Sequence, residues 1–110
     1  MKISEREMKG ILVLDVKGKM TLGDENDLGV RVKTLLAREQ KSIVVNMKAV
    51  PYIDGAGLGD IVRSYTSVVR AGGTIKFSGV NRQVKREFRI TKLTTVFELY
   101  PNVRAALASF

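Results

Sequence analysis

The sequence predicts a small α/β sandwich, a mixed β-sheet with helices packed against it, and three observations predict it. Short β-branched apolar runs alternate with segments of helical periodicity, as strands joined by crossover helices require. The chain opens on two strand-like segments separated by a glycine turn, which makes the sheet mixed rather than wholly parallel. Its 110 residues suffice for one hydrophobic core and one domain, 1–110, and are too few for two.

The elements follow in order. Residues 3–7 are short and charged, Met8-Lys9-Gly10 offers a turn, and Ile11 to Val16 reads as a largely buried second strand. Gly18 ends it. Thr21-Leu22-Gly23-Asp24 leads into a first helix, with Asp24 or Thr21 as the expected N-cap and Asp24, Glu25 and Asp27 matching the positive end of the helix dipole. Leu28, Val32, Leu35 and Leu36 then form one apolar face. Ser42 to Met47 is a near-continuous apolar run suited to a central strand covered on both sides.

A second helix begins after Gly55-Ala56-Gly57. Leu58, Ile61, Val62, Tyr65, Val68 and Val69 form its inward stripe, with Asp60, Arg63, Ser67 and Arg70 expected to face away. Gly72-Gly73 ends it, and Thr74 to Ser78 alternates as a strand should. A short third helix is expected from Asn81 to Arg89 with Val84 and Phe88 inward. Leu93 and Val96 to Leu99 then supply a short strand or apolar connection. Pro101 is placed in the first turn of a terminal helix anchored by Val103, Leu107 and Phe110.

Composition removes several classes of chemistry. Without cysteine there are no disulfides, thiolate metal sites or cysteine nucleophiles; without histidine there is no imidazole base, catalytic triad or histidine metal site. No enzymatic activity, cofactor or metal is expected. No apolar run reaches the roughly 18 residues of a membrane span, and the opening Met-Lys-Ile-Ser-Glu-Arg-Glu carries no signal-like segment, so a cytoplasmic location is expected. Nineteen basic against eleven acidic residues leave a net charge of +8, which serves solubility or marks an anionic partner: an acidic protein, nucleic acid or an anionic membrane surface.

The informative segment is Tyr52-Ile53-Asp54-Gly55-Ala56-Gly57-Leu58-Gly59, which joins the central strand to the second helix at the strand's carboxyl end, where open α/β sheets bind ligands. Its G-x-G-x-G spacing is neither a Walker A loop nor a dinucleotide fingerprint. Bare amides at a helix N-terminus can receive an anion, and the alternative is a tight strand-to-helix turn capped by Asp54. Asp54 has no base, metal ligand or second carboxylate beside it in sequence, so capping is its expected role, with partner contact secondary. Tyr52 is expected outward or half-buried beside the loop.

Taken in order and at these spacings, the residues resemble the STAS family, the sulfate-transporter and anti-sigma-factor-antagonist domains. The resemblance spans nearly the whole chain and rests on the opening hairpin, Gly18-Lys19-Met20-Thr21-Leu22, and the strand ending at Asn46-Met47. It rests further on Gly72-Gly73-x-Ile75-Lys76-Phe77 and on Ile90 to Phe97, which are similar to the bacterial single-domain antagonists. Val50-Pro51-Tyr52-Ile53-Asp54-x-x-Gly57-Leu58-Gly59 resembles the family's Asp-Ser-(Ser/Thr/Ala)-Gly-Leu-Gly signature.

The resemblance implies a protein-binding module of partner switching in transcription. Its partner would be an anti-sigma factor with a serine-kinase-like ATPase fold, which phosphorylates the serine after the loop aspartate and thereby releases the antagonist. In this sequence Gly55 holds the phosphoacceptor position and Ala56 follows it, so neither offers a hydroxyl. Three readings stay open: a permanently binding antagonist, control moved to Thr21, Ser64 or Thr66, or another STAS role such as the cytoplasmic subunit of a membrane transport complex.

The expected partner surface is Asp54, Gly55, Ala56, Gly57, Leu58 and Gly59 with Asp60, Arg63, Ser64 and Ser67 on the outward side of the second helix. Gly57→Trp or Asp60→Arg is accordingly expected to abolish binding with the fold intact. Arg82, Lys85, Arg86 and Arg89 line one face of the third helix, with Lys92 beyond them and Glu87 the single acid. They form either a solvated face or a dock for an acidic partner. Nucleic acid is the poorer choice, because no exposed aromatics are interleaved.

Overall fold

The computed structural model describes residues 1–24 and 27–110. Glu25 and Asn26 lie outside the described residues, and with them the expected contribution of Glu25 to the first helix. Strands β1 (Lys2–Met8) and β2 (Ile11–Lys17) form an antiparallel hairpin in which Met8 faces Ile11. The two turn residues, Lys9 and Gly10, both take positive φ, the geometry that two-residue hairpin loops favour. From β2 the chain runs through α1 (Asp27–Ala37), β3 (Ser42–Ala49), α2 (Gly55–Arg70), β4 (Thr74–Ser78), α3 (Arg82–Ile90), a 3-10 turn (Leu93–Thr95), β5 (Leu99–Tyr100) and α4 (Val103–Ala108). Strand order follows sequence order, and every pair after the hairpin is parallel.

Alternation along the strands divides the core in two. Leu12, Leu14 and Val16 of β2, with Ile43, Val45 and Met47 of β3, face the layer formed by α1, α2 and α3. Ile11, Val13 and Val44 face the opposite side, where Ala106 of α4 covers them. Both sides of β2 and β3 are therefore covered in their first halves, where the sequence reads as continuous apolar runs, while Asp15 and Asn46 further along the α4 side stay half-buried. Phe97 completes the larger core, 4.9 Å from the Phe77 ring, 5.2 Å from Phe88 and 5.0 Å from Tyr65.

Several expectations need correction. Pro101 lies outside α4: Asn102 is the N-cap, its side chain accepting from the Ala105 amide at 2.8 Å. Phe110 is 44% exposed rather than an inward anchor, and it lies against the Lys76 ammonium, 4.4 Å from Nζ. Lys76 is itself buried, its Nζ donating to the Ser109 carbonyl and hydroxyl at 3.0 and 2.7 Å.

The buried side of α2 is Gly57, Asp60, Ile61, Ser64 and Val68, while Leu58, Val62 and Tyr65 are half-buried and Val69 is exposed. The face that packs is thus turned by roughly a quarter of a revolution from the apolar stripe. The cause is α1, which lies alongside α2 and presses on its small and polar residues.

Candidate functional site

The loop after β3 is held from three directions. Asp54 caps α2, its Oδ1 accepting from the Gly57 amide at 2.9 Å, while Oδ2 accepts from the Leu22 amide at 3.0 Å. Met20 runs beside the loop, its amide donating to the Tyr52 carbonyl and its carbonyl accepting from the Asp54 amide. From α3, Gln83 clamps Ile53, donating to its carbonyl and accepting from its amide, both at 3.0 Å, and Asn81 donates to the Pro51 carbonyl at 2.9 Å. The hydrogen bonds from Gly57 and Leu22 hold the Asp54 carboxyl below the usual carboxylate range. An ionised Asp54 thus takes the place an incoming anion would need, and the capped-turn reading replaces the anion-receiving one.

Gly57 is a packing residue. It is buried, and a Cβ placed on it would overlap the Met20 carbonyl oxygen and stand 2.7 Å from the carbonyl carbon. The expectation that Gly57→Trp spares the fold is therefore corrected. Gly55 is the opposite case: exposed, without positive φ, and with nothing within 4 Å of a Cβ. A serine would sit there without strain.

Asp60 and Ser64 are corrected too, because neither faces outward. Both side chains are fully buried between α2 and α1. Asp60 accepts from the Leu28 amide at 3.0 Å and the Gly29 amide at 2.8 Å, so a carboxylate of α2 satisfies first-turn donors of α1. This is the role expected of Asp24 or Thr21. Asp24 instead accepts a backbone bond from the Asp27 amide through its carbonyl and pairs with the N-terminal ammonium at 3.7 Å. Burial pushes the Asp60 carboxyl up, against the pull of the two amides and the nearby Arg63. The Ser64 hydroxyl donates to the Asp60 carbonyl at 2.8 Å, and its burial removes it as an accessible modification site.

Of the expected surface, Gly55 and Arg63 are exposed, while Asp54, Ala56, Leu58, Gly59 and Ser67 are half-buried. Thr21 and Thr66 are half-buried as well. Two apolar residues stand at the rim: Tyr52, 43% exposed, and Leu22, 77% exposed, whose amide is the one Asp54 holds. Sequence reasoning passed over Leu22. Its signal was a large aliphatic residue between Thr21 and Gly23, outside any periodic face.

Asp54→Ala is expected to accelerate amide exchange at Leu22 and Gly57 well beyond its effect at Val45 in the central strand. Hydrogen exchange read by NMR checks this; uniform acceleration would mean that the carboxylate does nothing local.

Arg82, Lys85, Arg86 and Arg89 are all exposed along α3, and among the described residues none of them forms an ion pair, nor does Lys92. No helix among the described residues is long and apolar enough to cross a membrane, and no cluster of three or more metal-ligating side chains occurs among them.

The STAS domain model matches residues 2–106. The chain is 24% identical over 108 residues to an anti-sigma F factor antagonist of Paenibacillus polymyxa, covering 97% of this chain and 92% of that one. It superposes on an anti-sigma factor antagonist from Mycobacterium paratuberculosis with a TM-score of 0.86 at 20% identity, over 98% of this chain and 92% of the other. A sulfate transporter family protein from Wolinella succinogenes gives 0.76 at 18% identity, over 93% and 85%.

Proposed function

The chain belongs to the STAS domain family, and from that premise we propose that it is a non-enzymatic protein-binding module of the anti-sigma factor antagonist kind. Its partner in this reading is an anti-sigma factor with a serine-kinase-like ATPase fold, met in the cytoplasm. The docking surface is the start of α2, exposed Gly55 and half-buried Ala56, with Gly59, Arg63 and Ser67 beyond it and Leu22 and Tyr52 as apolar anchors at the rim.

The observation that carries the proposal is the contrast at this loop. Its backbone is fixed by Asp54, Met20 and Gln83, yet its crest at Gly55 stands open to solvent beside exposed apolar side chains. A rigid crest with aromatic and aliphatic anchors suits protein docking, since little ordering entropy is lost on association. Control by phosphate is absent at the crest itself. A phosphate brings about −1.5 to −2 charges and releases a packed interface, but Gly55 has no hydroxyl to carry one. The module therefore stays in its binding form.

The experiment is capture of partners by the tagged chain from lysate of its source organism, with Leu22→Asp as the control variant. Wild type is expected to retain an anti-sigma factor. Leu22→Asp should lose it at an unchanged melting temperature, because Leu22 is mostly in solvent. Recovery of a transport ATPase, or retention unaffected by Leu22→Asp, would overturn the proposal.

A further inference from the structure

Most of the cations of α3 are arranged against the helix's own stability, Arg89 in the last turn alone suiting the dipole. Arg82 opens the helix, where the dipole is positive, and no acidic residue occupies the first turn. Arg82–Lys85, Arg82–Arg86, Lys85–Arg89 and Arg86–Arg89 are like-charged neighbours three or four residues apart, each mildly destabilising. Among the described residues no carboxylate pairs with any of them. An external anionic surface relieves this repulsion.

Which surface follows from the company the cations keep. Ile90, at the end of the stripe, is 67% exposed between Arg89 and Thr91, and Lys92 follows. Beyond the 3-10 turn, Val96 is 47% exposed. The apolar face of α3 is spent on the core, so what this surface offers is a cluster of unpaired cations with exposed aliphatics beside it, the features by which polybasic segments hold anionic membranes. Single-stranded nucleic acid would ask for aromatics to stack on, and the exposed face of α3 has none; a duplex would use the cations alone and leave the exposed Ile90 without a role.

We propose that the outward face of α3 is a peripheral contact for anionic lipid, with Arg82, Lys85, Arg86, Arg89 and Lys92 on the headgroups and Ile90 at the flank of the stripe beside Arg86. The contact is superficial, involves no spanning segment, and does not depend on the anti-sigma reading.

The test is sedimentation of the full chain with vesicles of phosphatidylcholine alone or with about 30% phosphatidylglycerol, at about 0.15 M salt. Retention is expected only with phosphatidylglycerol. Arg86→Gln/Arg89→Gln should weaken it about thirtyfold, from roughly a fivefold contribution per cation. Glutamine keeps helix propensity, and circular dichroism checks the fold. Lys33→Gln/Arg70→Gln removes the same charge from the groove between α1 and α2, and should change retention less than threefold or so. Equal losses for the two pairs would reduce the effect to net charge and overturn the proposal. So would no retention on phosphatidylglycerol, or tighter binding to duplex DNA or RNA than to vesicles at the same salt.

Discussion

Gly57→Ala is expected to destabilise the protein by at least about 3 kcal/mol, lowering the melting temperature by about 12 °C or more. The added methyl collides with the Met20 carbonyl, and that backbone cannot retreat. Met20 is bonded through its amide to Tyr52 and through its carbonyl to Asp54, so displacing it also breaks the contact that holds the loop. Two residues on, Gly59 offers the control. A Cβ there meets only the end of the Arg63 side chain, 3.2 Å away, which can swing aside. Gly59→Ala should be neutral or gain up to about 1 kcal/mol from helix propensity. Thermal melts of the two variants decide the matter, and similar melting temperatures would contradict the packing described.

Asp60→Ala should cost about 2–4 kcal/mol, since it strips the acceptor from the amides of Leu28 and Gly29 and opens a void between α1 and α2. Asp60→Asn keeps one acceptor oxygen but turns an NH2 group toward the other amide, so a smaller loss is expected. The pair also has a signature in pH. Burial raises the folded-state pKa of Asp60 above its ordinary 3.8, so the unfolded chain ionises first as pH rises. The advantage of wild type over Asp60→Asn is therefore fully present below the unfolded value. It declines as pH rises through the folded value and is constant above it. Asp54, held low by its amide donors, contributes in the opposite sense and loses stability as pH falls, but it is common to both proteins and cancels in the difference. Urea melts across the acidic range measure this; an advantage that grows with pH would contradict the burial assigned to Asp60.

Much of this architecture is written in local patterns. The hairpin turn at Lys9-Gly10, the apolar runs of β2 and β3, the Asp54 cap and the inward pair Val84 and Phe88 are each encoded within a few residues, and each stands where those residues put it. What could not be read was long-range. Asp60 and Ser64 sit opposite the apolar stripe of α2 and so read as solvent-facing, but α1 packs against that side with Gly29, whose lack of a side chain leaves room for the Asp60 carboxylate. A helix with two packed neighbours buries an arc wider than its apolar stripe, and periodicity reports only the stripe. The same limit hid Gly57, which the glycine-rich loop presented as free backbone and the fold uses as a seat for the Met20 carbonyl. Leu22 and Gln83 were silent for the same reason, since one meets the Asp54 carboxylate through its amide and the other clamps Ile53 only beside a loop some thirty residues away.

In the proposed function this module binds its partner and cannot be released at the crest of the loop, and that proposal has a direct test. Magnesium-ATP is added to the purified complex with the captured anti-sigma factor, using wild type and Gly55→Ser, and both release and the site of any phosphate are followed. Gly55 has open space around it, so the serine is tolerated. Wild type is expected to stay bound and unmodified, while Gly55→Ser acquires a phosphate at position 55 and dissociates. Wild type released by ATP with a phosphate elsewhere, at Thr21 or Thr66 for instance, would contradict it.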